Sequence, residues 1–484
     1  MKTKIPVTLS LTGSLLLCFT LNTTALFAQD SMDADLGGFE TEELADPLGD
    51  DLAGFGEEDI PLSEATPEIT LKESMFTTSG NLAFKTAYGY KDHSVDNVEY
   101  SGFNQARTAI YLQVDGKLSD NWKMRISGDA FYDAIYDIHS DRNYNQDTLD
   151  AYRTQLRFDD VYLQGSLSDN LDVKLGRQIV VWGKSDSIRI TDVINPLDNR
   201  LPAMTDIEDL RLPTTMAKLD YYLGSWNLSA MLIGESRIFL EAAPYGEFFP
   251  VSEIFPAAPQ PFFDLEQPDV SWENTQYALA ANGVFSGWDL SFYAADVYDS
   301  KWHLELVNGV PKRIVSRIQM LGSAINIASG SWLFKSEVAY VSGVRYNSTL
   351  DAKDRLDALV GFDYMGVKDT VLSLEIANKH IFDHEAQMAS LDTLKPDYVD
   401  RNEVQTAMRA TRSFSNDSIN ASALLSMFGS SWEYGGFARI WVEYDVIDAV
   451  VANVGVVDYI GGDRPFQDAI KDNDRVFADI TYSF

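Results

Sequence analysis

From about Met75 to the end of the chain, apolar and polar positions alternate, and the alternation predicts strands. The clearest stretch runs from Asn121 to Tyr136. Trp122, Met124, Ile126, Gly128, Ala130, Tyr132 and Ala134 share one face there, and Lys123, Arg125, Ser127, Asp129, Phe131 and Asp133 share the other. The segment before it repeats the pattern, with Ile110, Leu112 and Val114 opposed to Gln105, Arg107, Tyr111, Gln113 and Asp115. A run of about ten residues is long for a globular strand but matches the ~9–11 needed to cross a bilayer at a tilt.

The connections sort by length. Short polar turns are expected at Ser119-Asp120-Asn121, Ser168-Asp169-Asn170, Gly224-Ser225, Ser286-Gly287, Ser329-Gly330-Ser331, Gly366-Val367-Lys368, Asn416-Asp417 and Ile447-Asp448. Between most of them lie longer links, such as 137–149, 184–211, 240–273, 382–399 and 460–474. The pattern predicts an all-β fold, a transmembrane antiparallel β-barrel of about eighteen strands with sixteen as the alternative, tight turns on one side and long loops on the other. Lipid leaves no other route to a spanning chain that lacks apolar helices, because every backbone polar group must be paired.

Aromatic residues fall where the membrane surfaces would be. Trp122, Tyr132, Trp226, Trp288, Tyr364 and Tyr444 lie near strand ends on or near the outward face, as interfacial girdles require. In the last strand Val476, Ala478, Ile480, Tyr482 and Phe484 point out, while Asp479, Thr481 and Ser483 point in. An ending on Tyr482 and Phe484 resembles the C-terminal signature of bacterial outer-membrane proteins, which implies recognition by the barrel-assembly machinery.

The N-terminus sets the compartment. Residues 1–28 read as a signal peptide: Lys2 and Lys4, an apolar stretch, then a small-residue exit near Ala25 or Ala28. Cys18 is the sole cysteine, and Leu17 before it argues against a lipid anchor. Residues 29–75 are rich in acids and are expected to be a disordered periplasmic segment. Within it Asp35-Leu36-Gly37-Gly38-Phe39-Glu40 returns as Asp51-Leu52-Ala53-Gly54-Phe55-Gly56. Phe39 and Phe55 are either anchors for a periplasmic partner or parts of a spacer. Residues 76–484 are then expected to form the barrel in the outer membrane of a Gram-negative cell, in contact with its lipid and lipopolysaccharide.

The 484 residues hold 38 Lys+Arg against 73 Asp+Glu, a formal charge of −35. That balance argues against nucleic acid as a partner, since phosphate would be repelled. The five histidines fall mostly in loops, and His380 and His384 follow a strand, where their spacing does not bring two ligands together. No nucleophile elbow, phosphate loop or zinc motif is present. No catalysis, cofactor or metal is expected.

The lumen carries the candidate chemistry. Arg107, Lys123, Arg125, Arg153, Arg157, Lys174 and Arg177 are expected on inward faces of strands two to five, with Asp115, Asp129, Asp133 and Asp159 among them. Such charges cost ~2–4 kcal/mol on the lipid face at mid-depth, so they should line the pore. Lys174 and Arg177 differ in parity and share the lumen only if the strand bulges between them. Either a selective pore or a closed, ion-paired lumen accounts for this set. The link between Phe239 and Val270 holds Tyr245, Phe248, Phe249, Phe255, Phe262 and Phe263 among several prolines. Aromatics are costly to leave in water, so the loop should fold inward or over the mouth. It would plug the lumen or offer an apolar port for a hydrophobic solute.

The run from Leu175 to Asp198 reads LGRQIVVWGKSDSIRITDVINPLD. Its Gly176-Arg177-Gln178, Trp182-Gly183 and Asn195-Pro196, with Asp159-Asp160-Val161-Tyr162-Leu163-Gln164-Gly165 before it, resemble an outer-membrane family known as domain of unknown function 1302. Members often read Ser-Trp-Gly-Glu where this chain has Val181-Trp182-Gly183-Lys184. The resemblance implies a porin-like barrel associated with transporters of the resistance-nodulation-division type and with lipids or other hydrophobic compounds. On this reading Gly176 supplies the bulge or lets the wall pack closely, Arg177 enters the lumen, Trp182 reaches the outer rim and 184–211 folds back toward the pore. The function expected is a channel, or the outer-membrane part of a transport route with a periplasmic or inner-membrane transporter partner, for hydrophobic or amphipathic molecules. A general diffusion porin for small polar solutes and a non-transporting structural or surface-interaction barrel are the alternatives.

Overall fold

The structure, a computed structural model, describes residues 75–390 and 396–484. The expected signal peptide and acidic segment, with Cys18, Phe39 and Phe55, lie outside the described residues.

Eighteen long strands form one closed antiparallel wall among the described residues. In chain order they are β1 (Phe76–Gly89), β2 (Gly102–Lys117), β3 (Trp122–Asp133), β4 (Thr154–Ser168), β5 (Leu171–Gln178), β6 (Thr214–Leu223), β7 (Trp226–Ile233), β8 (Gln276–Phe285) and β9 (Trp288–Val307). The wall continues with β10 (Val310–Ser329), β11 (Trp332–Val344), β12 (Lys353–Val367), β13 (Thr370–Ile381), β14 (Asn402–Phe414), β15 (Ile419–Phe428), β16 (Gly436–Ile447), β17 (Val450–Ile460) and β18 (Arg475–Ser483). Each strand pairs with its sequence neighbours, and β18 closes on β1 from Gly89↔Arg475 to Asn81↔Ser483. No edge is left to be satisfied by lipid.

The short turns fall at one end of the wall, as expected. Two are displaced by a residue: β12 runs on through Val367, so the turn is Lys368-Asp369, with Asp369 at φ 53°, and β16 runs on through Ile447, so the turn is Asp448-Ala449. At the other end lie the long loops 90–101, 134–153, 179–213, 234–275, 382–401 and 461–474, with the shorter links 345–352 and 429–435. The exception there is a tall hairpin, where β9 and β10 extend past their neighbours to a two-residue turn at Asn308-Gly309. Both turn residues have positive φ, the conformation that Asn-Gly hairpins favour.

Outward positions are apolar around the ring, including Leu82, Leu112, Ile126, Leu279, Val360, Ile376 and Val454. Trp122, Trp226, Trp288, Trp332, Tyr364, Tyr444 and Tyr482 mark the short-turn rim, and Tyr88, Tyr132, Tyr277 and Tyr340 the long-loop rim. Along β3, Trp122 and Tyr132 are separated by roughly 33 Å of strand. At a tilt near 45° this is roughly 24 Å of depth, close to the ~25 Å apolar band of such barrels. No helix among the described residues is long and apolar enough to cross a membrane.

Candidate functional site: a lumen crossed by two loops

The inward face carries ion pairs formed within the wall on one arc of the ring. On β2–β4, Arg107 meets Asp133 at 3.3 Å, Arg125 meets Asp115 at 2.8 Å, and Arg157 meets both Asp129 and Asp159 at 2.8 Å. On β6–β14 the inward face carries a buried apolar patch, through Met216, Met231, Ile233, Ala278, Ala295, Met320, Val341, Leu359 and Ala377. These side chains are not exposed to a water-filled pore because the loop 179–213 lies against them.

That loop leaves the wall after β5 and crosses to the far side of the ring. Its start is held by two inward carboxylates. Glu337 on β11 accepts from the amides of Lys184 (2.6 Å), Ser185 (2.8 Å) and Thr191 (3.2 Å) and from the Thr191 hydroxyl (2.8 Å). Glu375 on β13 accepts from the Ser185 hydroxyl (2.7 Å) and the amides of Asp186 (2.9 Å) and Ser187 (3.1 Å). Buried carboxylates need such donors, and buried loop amides need such acceptors. Lys335 adds ion pairs to Asp186 and Asp363, and Lys184 reaches Asp289 at 2.7 Å. Asn195 ties the two ends of the loop together, accepting from the Val180 amide (2.8 Å) and donating to the Leu212 carbonyl (2.8 Å).

Farther along, Arg157 reaches Asp198 at 3.5 Å, and Arg200 holds the same carboxylate. Burial pushes the Asp198 carboxyl up, but the hydrogen bond and charge of Arg200 outweigh it and hold it below the usual range. The loop tip places Asp206 against Arg409 of β14 (2.9 Å) and Arg439 of β16 (3.0 Å).

The loop 234–275 crosses as well. Leu240-Glu241 pairs in parallel with Asp198-Asn199 of the first loop. Glu247 pairs with Arg475 of β18 at 2.5 Å, and Tyr398 donates to the Ile254 carbonyl at 2.9 Å. Its aromatics pack on the inner wall: Tyr245, Phe248, Phe249, Val251, Ile254 and Phe262 share one apolar cluster with Ala87, Trp441, Val457, Tyr459 and Phe477. Phe255 and Phe263 are half-buried against it. Burial pushes the Glu241 carboxyl up, and the Trp302 indole N–H donates to it at 2.5 Å. Between this loop and the tall hairpin, Pro259, Pro261, Phe262, Phe263, Leu304, Val310 and Pro311 line an open cavity of about 520 Å³, with Asp264 as its carboxylate.

A family model described as "Protein of unknown function (DUF1302)" matches residues 20–484. The chain belongs to this family. No curated protein matches it in sequence. Among solved structures the DUF1302 barrel is similar to OccAB3 of Acinetobacter baumannii, with a TM-score of 0.51 at 10% identity over 84% of this chain and 99% of that one. OccK9 (OpdG) of Pseudomonas aeruginosa gives a TM-score of 0.49 at 11% identity over 84% and 97%. At such identities the likeness to OccAB3 is one of fold, and the fold is that of a porin-like outer-membrane barrel.

In the DUF1302 barrel Arg107, Arg125, Asp129 and Arg157 face inward with the partners above, and Lys174 lies 4.0 Å over the Tyr162 ring. Lys123 shares that face at the short-turn mouth, where it is exposed. Arg153 does not line the wall: it ends the helix Gln146–Tyr152 at the long-loop rim and meets Asp137 at 3.8 Å. Arg177 also departs from expectation. The β4–β5 and β5–β6 ladders run without a shift through Lys174 and Arg177, so no bulge restores parity. Arg177 therefore shares the outward face of Leu175 and pairs with Glu235 at 2.8 Å. It sits at the loop end of its strand, where an outward Arg costs only ~0–1 kcal/mol. Gly176, at φ 127°, provides close packing instead, since a Cβ there would lie 2.2 Å from the Val161 carbonyl.

Trp182 is not at the outer rim. It is 4% exposed inside the lumen and stacks on Tyr293 with centroids 4.7 Å apart. Glu337, Glu375, Asp206 and Asn195 carry much of this arrangement, and sequence reasoning did not single them out as site residues. The available signal was an inward Lys and Glu two residues apart in a strand whose remaining inward positions are apolar, Leu333, Ala339 and Val341.

Proposed function

We propose that this barrel acts in the Gram-negative outer membrane as a channel, or as the outer-membrane part of a transport route, for hydrophobic or amphipathic molecules. The observation that carries the reading is the apolar cavity at the loop end, walled by Phe262, Phe263 and three prolines and continuous in sequence with the aromatic loop that crosses the lumen. A polar solute gains nothing from such walls, whereas an apolar one sheds water there. The loops then act as the moving part. The proposal includes a periplasmic or inner-membrane transporter as partner, docking through Phe39 and Phe55, and insertion by the assembly machinery through the β18 ending.

The charged strip of Arg107, Arg125 and Arg157 favours a second reading, a general diffusion porin, because oppositely charged strips orient small polar solutes. Planar-bilayer and proteoliposome transport separate the two. Removing 240–273 is expected to abolish passage of an apolar dye under the first reading, and merely to enlarge ion conductance under the second. Equal passage of the dye with and without the loop would overturn the proposal.

A further inference from the structure

The tip of the first crossing loop carries Asp206, Glu208 and Asp209. Only Asp206 pairs with the wall, at Arg409 (2.9 Å) and Arg439 (3.0 Å). Both arginines lie against one indole, their guanidinium carbons 5.4 and 4.0 Å from the centroid of Trp441. On the same inward face Lys85 of β1 stands opposite Asp479 of β18, and Asn453 of β17 stands between Asp479 and Glu443 of β16, two residues beyond Trp441. The wall's own charges there are three cations and two anions, a surplus of one positive charge. The docked tip adds three carboxylates, two more than that surplus calls for. The backbone of the tip is held by its own turns, Asp209 N–H to Asp206 C=O at 3.2 Å and Leu210 N–H to Ile207 C=O at 3.3 Å. Firmer anchors lie before it, at Glu337, at Glu375 and where the Tyr459 hydroxyl donates to the Pro202 carbonyl at 2.6 Å.

The geometry points to a binding site for an amphiphile with one anionic head group. Arg409 and Arg439 take the head group, and the indole of Trp441 takes the start of the apolar tail. Asp206 is the internal carboxylate that fills the site until a solute displaces it. Exchange of three carboxylates for one brings the local charge to zero, and a paired oxyanion between two guanidinium groups makes strong charge-assisted hydrogen bonds. The inference rests on the transport reading above and narrows it to a class of solute.

The test is current block and uptake by the refolded full-length protein with octanoate, octanol and octyltrimethylammonium. Octanoate is expected to half-block at a lower concentration than the cation. Asp206→Asn should lower that concentration about 10-fold by removing the competitor, and the pair Arg409→Gln with Arg439→Gln should raise it about 10-fold or more. Restoring charge with lysine at both positions should recover part of the loss. Unchanged octanoate block in Asp206→Asn overturns the inference, and that variant decides if the arginine variants fail to refold. Octanol passing while octanoate ignores every substitution sinks this inference alone. Passage of none of the three solutes sinks the transport reading itself.

Discussion

Gly183 and Glu337 are in a contact that admits no side chain. A Cβ on Gly183 would lie 2.8 Å from both carboxylate oxygens of Glu337 and 3.0 Å from the Thr191 hydroxyl, at a φ of 89°. The glycine of the Trp182-Gly183 pair thus lets the loop backbone approach the acid that holds it. Gly183→Ala is expected to cost about 1–2 kcal/mol for the backbone conformation alone, plus the displacement of Glu337. Thermal unfolding in detergent should show a lowered midpoint, while the barrel still migrates as a compact species on unheated gels.

Glu337 itself receives four donors and is 3% exposed. In Glu337→Ala those donors lose their acceptor in a buried site, at ~1–3 kcal/mol for each left unmet. Glu337→Gln keeps one acceptor oxygen and should fall between. The wall does not depend on this residue for its ladder, so the expected outcome is a loosened loop in an intact barrel. A Ser187→Cys reporter should react with a membrane-impermeant thiol reagent at least about tenfold faster in the Glu337→Ala background. Equal rates would show that the loop is held elsewhere.

Acid should tighten the tip. Glu208 is pushed above the usual carboxylate range by burial, then by Asp209, Asp206 and Asp186, with Arg409 opposing. Asp209 is pushed up by burial and Asp206, with Lys85 and Arg439 opposing. Groups raised in the docked state favour the protonated form there, so docking takes up protons. The docked tip is therefore stabilised as pH falls from neutrality toward the ordinary carboxylate range, and released as pH rises. Conductance is expected to fall on acidification, and Glu208→Gln with Asp209→Asn should flatten that dependence. A rise in conductance on acidification would contradict the placement of these groups.

Period two and turn chemistry made the wall legible in the sequence, because a strand between lipid and lumen has no other way to arrange its side chains. The faces of Trp122–Asp133 and of the β18 ending are as read. Alternation says which residues share a face but not where a strand stops or what occupies the space opposite. Trp182 was misplaced for the first reason: β5 ends at Gln178, and the chain beyond it turns into the barrel. The second reason hid the apolar lumen. Met231 and Ile233 flank Leu232, so β7 is apolar on both faces near its end, the mark of a strand with lipid outside and a packed loop inside. Arg177 shows a third limit, since an outward charge is forbidden at mid-depth but tolerated at the rim, and the sequence carries no depth scale.

The pair Glu247–Arg475 decides whether the aromatic loop is a fixed part of the barrel or a lid. Arg475 is 3% exposed, donates to Glu247 at 2.5 Å and to the Asn473 carbonyl at 3.0 Å, and lies 4.6 Å over the Phe248 ring. It stands at the loop end of β18, so the last strand and the crossing loop share one buried ion pair. Breaking such a pair by removing one partner costs roughly 3–5 kcal/mol, because the remaining charge stays buried, while replacing both partners with apolar residues is often neutral. A fixed loop therefore predicts a large loss of stability against urea in Glu247→Ala and substantial recovery in Glu247→Leu with Arg475→Met. A lid that swings out would expose Arg475 to water in the single variant, so stability would hardly change and conductance would rise. The first outcome assigns solute passage to rearrangement of the loop tip at Asp206, and the second to wholesale movement of 234–275.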